Sequence, residues 1–235
     1  MQQLHHHLQR SLDLLFPPQC VICKRGGHVL CLGCLNSIQP LCPPICQRCG
    51  TQLSPYEQCH NCRYRTLHLN VLRVFGHYEG ALRTCIHALK YDGQKRLAEP
   101  LGKLLVQAYI AYGLRADLVI PVPLHKEREQ QRGYNQTTLL ARQFARQLGL
   151  TLREDILQRA RATPVQVGLN GQERQQNVEG AFACTPQFTT GALSGRTILM
   201  IDDVCTTGST LEASAAPLFA AGVQSVYGLV LARPT

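Results

Sequence analysis

Four apolar residues, Ile198-Leu199-Met200-Ile201, run directly into two acids, Asp202 and Asp203, and then into Val204-Cys205-Thr206-Thr207-Gly208-Ser209-Thr210. The apolar run reads as a buried strand with both acids at its carboxyl end. Apolar residues resume at helical spacing at Leu211, Ala215, Leu218 and Phe219, so the small-residue loop opens a helix. Hydroxyl residues at a helix N-terminus offer one phosphate several backbone N–H groups and hydroxyls. Acids just before such a loop can bind ribose hydroxyls and, directly or through water, a divalent cation. The segment can therefore grip a ribose 5-phosphate from both ends. A plainer alternative is a strand–loop–helix whose acids cap the helix, but adjacent acids on a buried strand are costly without a ligand or partner. No GxxxxGK[ST] occurs in the chain, so this is not a Walker A loop.

The order of four apolar residues, two acids, a short variable step and Thr-Thr-Gly-Ser resembles the signature with which type I phosphoribosyltransferases bind phosphoribosyl pyrophosphate (PRPP).

At 235 residues, 45% of them hydrophobic, the chain accommodates one α/β domain and a small accessory module. No apolar run reaches the roughly 18 residues of a membrane-spanning helix. The N-terminus lacks the apolar core and cleavage site of a secretory signal, and we expect a cytoplasmic protein without membrane insertion. Leu4, Leu8, Leu12 and Leu15 recur at helical spacing and predict an amphipathic helix over 1–17. His5, His6 and His7 within it read as solvated side chains. A net charge of +9 favours phosphorylated small molecules and nucleic acid alike.

Twelve cysteines in such a chain point to metal ligation in a reducing compartment. Eight form four CxxC knuckles: Cys20/Cys23, Cys31/Cys34, Cys46/Cys49 and Cys59/Cys62. Each knuckle turns two thiolates toward one tetrahedral ion, so four imply two structural Zn2+ sites and a double zinc ribbon over 18–66. Sequential pairing is simplest; the spacing leaves interleaved pairing open. Cys42 offers another register with Cys46, and His28 and His60 are close enough to compete as ligands. Closed four-thiolate sites stabilise the fold and leave no open position for catalysis. The ribbon is then a contact module or a structural cap. Cys85, Cys184 and Cys205 are isolated and read as small apolar fillers, with redox sensitivity left open for Cys205 inside the loop.

From residue 67 to 235 the pattern is that of a separate α/β domain. Strands are predicted over 71–78, 117–123, 197–201 and 224–231, and helices over 81–89, 97–112 and 137–148. A further unit starts at Ile156-Leu157-Gln158-Arg159, and Ala181-Phe182 begins the return to the sheet. Between the second strand and the third helix lies a basic, glycine-containing loop with Lys126, Arg128, Arg132 and Gly133, the composition of a pyrophosphate-binding element. A solvated charged turn is its plainer reading. Residues 161–180 lack an apolar period and suggest a lid. Alternating strands and helices predict a mostly parallel, doubly wound sheet with ligands at the strands' carboxyl ends.

These segments together resemble the ComF family of phosphoribosyltransferase-like proteins. The resemblance spans Leu14-Leu15-Phe16-Pro17-Pro18-Gln19-Cys20, Cys46-Gln47-Arg48-Cys49-Gly50 and Leu89-Lys90-Tyr91-Asp92-Gly93. It continues through Pro121-Val122-Pro123-Leu124, Arg132-Gly133-Tyr134-Asn135-Gln136, Thr163-Pro164-Val165-Gln166, Arg174, Asn177 and Gly180-Ala181-Phe182. It implies a type I phosphoribosyltransferase-like α/β fold with an N-terminal double zinc ribbon, and a role in competence and DNA uptake or in nucleotide metabolism. It further implies catalytic Asp202 and Asp203 on ribose and Mg2+, with Thr206, Thr207, Gly208, Ser209 and Thr210 around the 5-phosphate. Lys126, Arg128 and Arg132 would face pyrophosphate, and a lid carrying Arg174 and Asn177 would close the site. The acceptor is not written in the sequence; Tyr91 and Tyr134 are candidates to stack on a base. Two non-catalytic readings stay open: a competence factor that binds nucleotide or single-stranded DNA, alone or with competence-machinery proteins, and a PRPP sensor.

Overall fold

The computed structural model describes residues 17–63, 68–161, 180–189 and 191–234. The amphipathic segment before Pro17 and the proposed lid residues Arg174 and Asn177 lie outside them.

Five parallel strands form the main sheet: β1 (Val71–His77), β2 (Leu118–Pro121), β3 (Thr151–Leu152), β6 (Thr197–Val204) and β7 (Ser225–Arg233). Their order is β1-β7-β6-β2-β3, which puts β6, the strand that carries the acid pair, at the centre. Alternation along β6 feeds both cores: Leu199 and Ile201 face one cluster, Ile198 and Met200 the other. The first cluster is covered by α3 (Gly80–Tyr91), α4 (Ala98–Ala111) and α6 (Gln136–Leu148), the second by α7 (Ser209–Ala220). This is the doubly wound, mostly parallel architecture expected.

Two local expectations differ. The run Leu157–Arg159 (β4) does not join the main sheet, and neither does Phe182–Cys184 (β5); they pair antiparallel with each other as a separate two-stranded sheet. A central strand here must be apolar on both faces, and of β4 only Leu157 is buried. The basic segment is a helix, α5 (Lys126–Arg132), rather than an open loop. Its Lys-Glu-Arg-Glu-Gln-Gln-Arg composition consists of good helix formers. Gly133, at φ 77°, ends it as a left-handed C-cap whose N–H donates to the Glu129 carbonyl.

The ribbon contains two short helices, α1 (Leu32–Asn36) and α2 (His60–Arg63), and docks on the open edge of β1. Leu72 N–H donates to the Arg48 carbonyl at 2.7 Å, and Leu41 N–H to the Phe75 carbonyl at 2.6 Å. A Cβ on Gly50 would lie 2.7 Å from the Leu72 carbonyl oxygen, so glycine permits the close approach. An edge strand that would otherwise present unpaired backbone is thereby covered.

Candidate functional site

β6 delivers Asp202 and Asp203 to the carboxyl end of the sheet. Gly208, at φ 84°, turns the chain into α7, with Thr207 Oγ1 2.8 Å from Ser209 Oγ. Residues 202–211 line a cleft of about 490 Å3 together with Tyr78, Lys90, Tyr91, Arg128, Arg159 and Pro234. Lys90, Tyr91 and Arg128 continue into an adjoining cavity of about 540 Å3 that also reaches Arg132 and Tyr134. Volumes of this order suit a small-molecule ligand. A groove of about 740 Å3 between the first knuckles and α3, lined by Lys24 and Arg83 among others, contains neither the acids nor the loop.

The acids differ in environment. Asp203 is buried at 3% exposure; Oδ1 pairs with Lys90 Nζ at 2.6 Å, while Oδ2 has no hydrogen-bond partner among the described residues. Asp202 is partly exposed and accepts the Asp203 backbone N–H at 2.8 Å. Burial first, then the charge of Asp203, raises its carboxyl to about 7, against the opposing pull of Lys90. Burial alone would lower Lys90, but the Asp203 carboxylate outweighs it and raises the ammonium. Arg159 is lowered by burial and by the nearby Arg128 guanidinium. An orphaned buried carboxylate oxygen beside a second carboxyl is a hard-oxygen donor set that fits Mg2+.

The basic residues divide. Arg128 lines both the acid-lined cleft and the adjoining cavity, Arg132 the adjoining cavity alone, whereas Lys126 and Gly133 line a further cavity of about 440 Å3 with Glu129 and Glu154. Of the tyrosines, Tyr91 is 64% exposed and stacks with Arg132, whose guanidinium lies 5.3 Å from the ring centroid. Tyr134 is buried and donates to the Leu89 carbonyl. Sequence reasoning gave no role to Lys90, Arg159 or Arg233. Lys90 lies in the last turn of α3 and meets Asp203 only through the fold, so no local signal points to it.

The eight knuckle cysteines form two quartets, Cys20/Cys23/Cys31/Cys34 and Cys46/Cys49/Cys59/Cys62, each with all ligand atoms within 4.8 Å of one another. Sequential pairing is therefore the geometry present. Cys42, His28 and His60 belong to neither quartet, and Cys42 is exposed. Without a cation the thiols cannot share one charge state. In the first quartet, burial would raise Cys20, but hydrogen bonds from the backbone N–H groups of Cys31, Cys23 and Ile22 bring it to about 6; hydrogen bonding with Cys31 and burial push Cys34 up to about 12. A divalent ion is what lets four such sulfurs be thiolates together, and the donor set is that of structural Zn2+. Cys85, Cys184 and Cys205 are buried, as expected of fillers.

The double zinc ribbon domain family matches residues 11–63. Along nearly the whole chain, the protein is 32% identical over 225 residues to competence protein F of Haemophilus influenzae, covering 92% of this chain and 96% of that one. The chain belongs to the ComF family. Other relatives of this ComF protein are the DNA utilization protein YhgH of Salmonella typhimurium, 28% identical over 94% of this chain and 99% of that one, and competence protein ComFC of Bacillus subtilis, 27% identical over 95% and 88%. Among solved structures, the glutamine PRPP amidotransferase of B. subtilis complexed with ADP and GMP is 17% identical over 62% of the ComF chain and 30% of its own, with a TM-score of 0.41. A Trypanosoma cruzi hypoxanthine phosphoribosyl transferase is 17% identical over 60% and 65%, with a TM-score of 0.33. No helix among the described residues of the ComF chain is long and apolar enough to cross a membrane.

Proposed function

We propose that this protein binds PRPP or a ribose 5-phosphate nucleotide at the β6–α7 junction and transfers phosphoribosyl to a base or amine, in a cytoplasmic role tied to competence and DNA uptake. The observation that carries the reading is the buried Asp203 carboxylate, with Oδ2 unpartnered among the described residues, shortly before a hydroxyl-rich loop that starts an α-helix. In transfer, the anomeric C–O bond breaks, pyrophosphate leaves with the electron pair, and a C–N bond forms as the acceptor nitrogen loses its proton. Asp202 and Asp203 accept hydrogen bonds from the ribose hydroxyls. Backbone N–H groups and hydroxyls of Thr206–Thr210 receive the 5-phosphate. Arg128 and Arg132 stand where they can offset pyrophosphate charge, with Lys126 on the far side of α5. Mg2+ when bound would neutralise pyrophosphate and help orient the ribose. Arg174 and Asn177 are the lid residues of this reading, and Tyr91 offers an exposed ring to a base.

The experiment is pyrophosphate release from Mg-PRPP across a panel of nucleobases and simple amines, comparing the wild type with Asp203→Asn. Release with one acceptor that the variant abolishes supports transfer. PRPP binding without release from any acceptor leaves the sensor as the function. Salt-sensitive binding of single-stranded DNA that is indifferent to Asp203→Asn, without PRPP binding, would replace both readings with a nucleic-acid one.

A further inference from the structure

The second metal quartet and the phosphate loop are joined by one side chain. Arg233, the last residue of β7, donates through Nη1 to the Cys49 carbonyl at 2.8 Å and to the Thr51 hydroxyl at 2.6 Å. Its Nη2 lies 3.5 Å from Cys205 Sγ, in the first residue after β6. Thr51 Oγ1 is in turn 3.1 Å from Cys49 Sγ. Because the guanidinium donates to the hydroxyl oxygen, the hydroxyl proton is available to a metal-bound thiolate. One half-buried arginine thus supports a zinc ligand through a single hydroxyl and holds the start of the phosphate loop.

A second contact runs the same way. The knuckle carbonyl of Arg48 accepts Leu72 N–H, and the Leu72 side chain borders Gly208, where an added Cβ would meet Cys205 Sγ at 3.8 Å and Leu72 Cδ2 at 4.0 Å. The first quartet sits elsewhere, with Cys20 packed in the cluster of Leu82, Cys85 and Ile86 on α3.

We propose that Arg233 is a positioning residue that couples the second zinc site to the phosphate loop. Zinc at Cys46, Cys49, Cys59 and Cys62 and a phosphate ester at Thr206–Thr210 then strengthen each other's binding, while the first zinc is indifferent. The inference rests on the ribose 5-phosphate reading of the loop. Outer-shell partners of metal ligands are commonly worth about 10- to 100-fold in affinity. Coupling between two binding sites is reciprocal and typically about 5- to 150-fold.

The test is equilibrium competition between the zinc-loaded full chain and a chelator, with and without Mg-PRPP. Thiol alkylation and peptide mass spectrometry identify which quartet has opened. In the wild type, PRPP should raise the affinity of the second quartet for zinc at least about fivefold and leave the first unchanged. Arg233→Gln and Thr51→Val should each weaken the second zinc about tenfold, and Arg233→Gln should also remove the PRPP effect. Thr51→Val keeps the Arg233 contacts to Cys49 and Cys205, so it decides the relay if Arg233→Gln does not fold. Wild-type zinc affinity in Thr51→Val overturns the relay, and equal effects on both quartets overturn the coupling. PRPP that binds the wild type without changing the second zinc also overturns the coupling but leaves the ribose 5-phosphate reading standing; failure of PRPP to bind overturns both.

Discussion

Asp202→Asn should stabilise the free protein while removing ligand binding. Asp202 sits beside Asp203, and burial with that neighbouring charge raises its carboxyl from 3.8 to about 7. A carboxyl whose pKa is higher in the folded than in the unfolded state opposes folding when ionised. The penalty is absent below pH 3.8, grows through the window up to pH 7, and is constant above it. At about 1.4 kcal/mol per pH unit, that window corresponds to at most about 4 kcal/mol. Asp202 keeps partial exposure, so water screens the repulsion, and we expect about 2 kcal/mol. Asparagine preserves the acceptor for the Asp203 N–H and discards the charge. For a chain of this size, that gain raises the thermal midpoint by about 4–8 °C at pH 8. At pH 5.5 the gain should fall to about half, because only part of the window has been crossed. Thermal unfolding at both pH values with excess Zn2+, beside a PRPP titration, measures all three expectations. A variant that is no more stable than the wild type at pH 8, or whose gain is as large at pH 5.5, would refute the electrostatic account of the acid pair.

Other outcomes follow from the same contacts. Lys90→Met leaves the 3%-exposed Asp203 without its cation and should cost about 3–5 kcal/mol, read as a fall in the denaturation midpoint at neutral pH. Gly50→Ala drives a methyl to 2.7 Å from the Leu72 carbonyl at a backbone φ of 65°, and should cost about 1–3 kcal/mol. Limited proteolysis should then cut between ribbon and β1 sooner than in the wild type. Zinc removal by chelation should expose all eight quartet thiols to alkylation and uncover the β1 edge, with light scattering reporting association through it.

The segment from Ile198 to Thr210 was legible because strand, acids, loop and helix start are consecutive, and each part has its own local signature. The knuckles are legible for the same reason, since CxxC spacing fixes two ligands by turn geometry alone; which knuckles share an ion is left open by the spacing and is decided by the fold, which brings them together sequentially. What was not legible is long-range. Lys90 comes from α3, Arg233 from the end of β7, and Arg48 from the ribbon; nothing in their neighbours says which strand they will meet. The basic segment over 126–132 reads as a loop by its charge, and its helix-forming composition with a terminal glycine makes it a helix instead. Ala181-Phe182 reads as a return to the main sheet by its apolar residues, whereas Phe182–Cys184 pairs with the short strand Leu157–Arg159, of which only Leu157 is buried.

On the reading proposed above, the acids at the end of β6 and the loop after them hold a ribose 5-phosphate with Mg2+. Isothermal titration of the zinc-loaded protein with PRPP, with and without Mg2+, in the wild type and Asp203→Asn, tests it most directly. The account expects Mg2+-dependent binding by the wild type and a loss of at least about tenfold in the variant, the equivalent of one charge-assisted contact of roughly 1.4 kcal/mol or more. No binding by the wild type in the presence of Mg2+, or equal binding by Asp203→Asn, would contradict it.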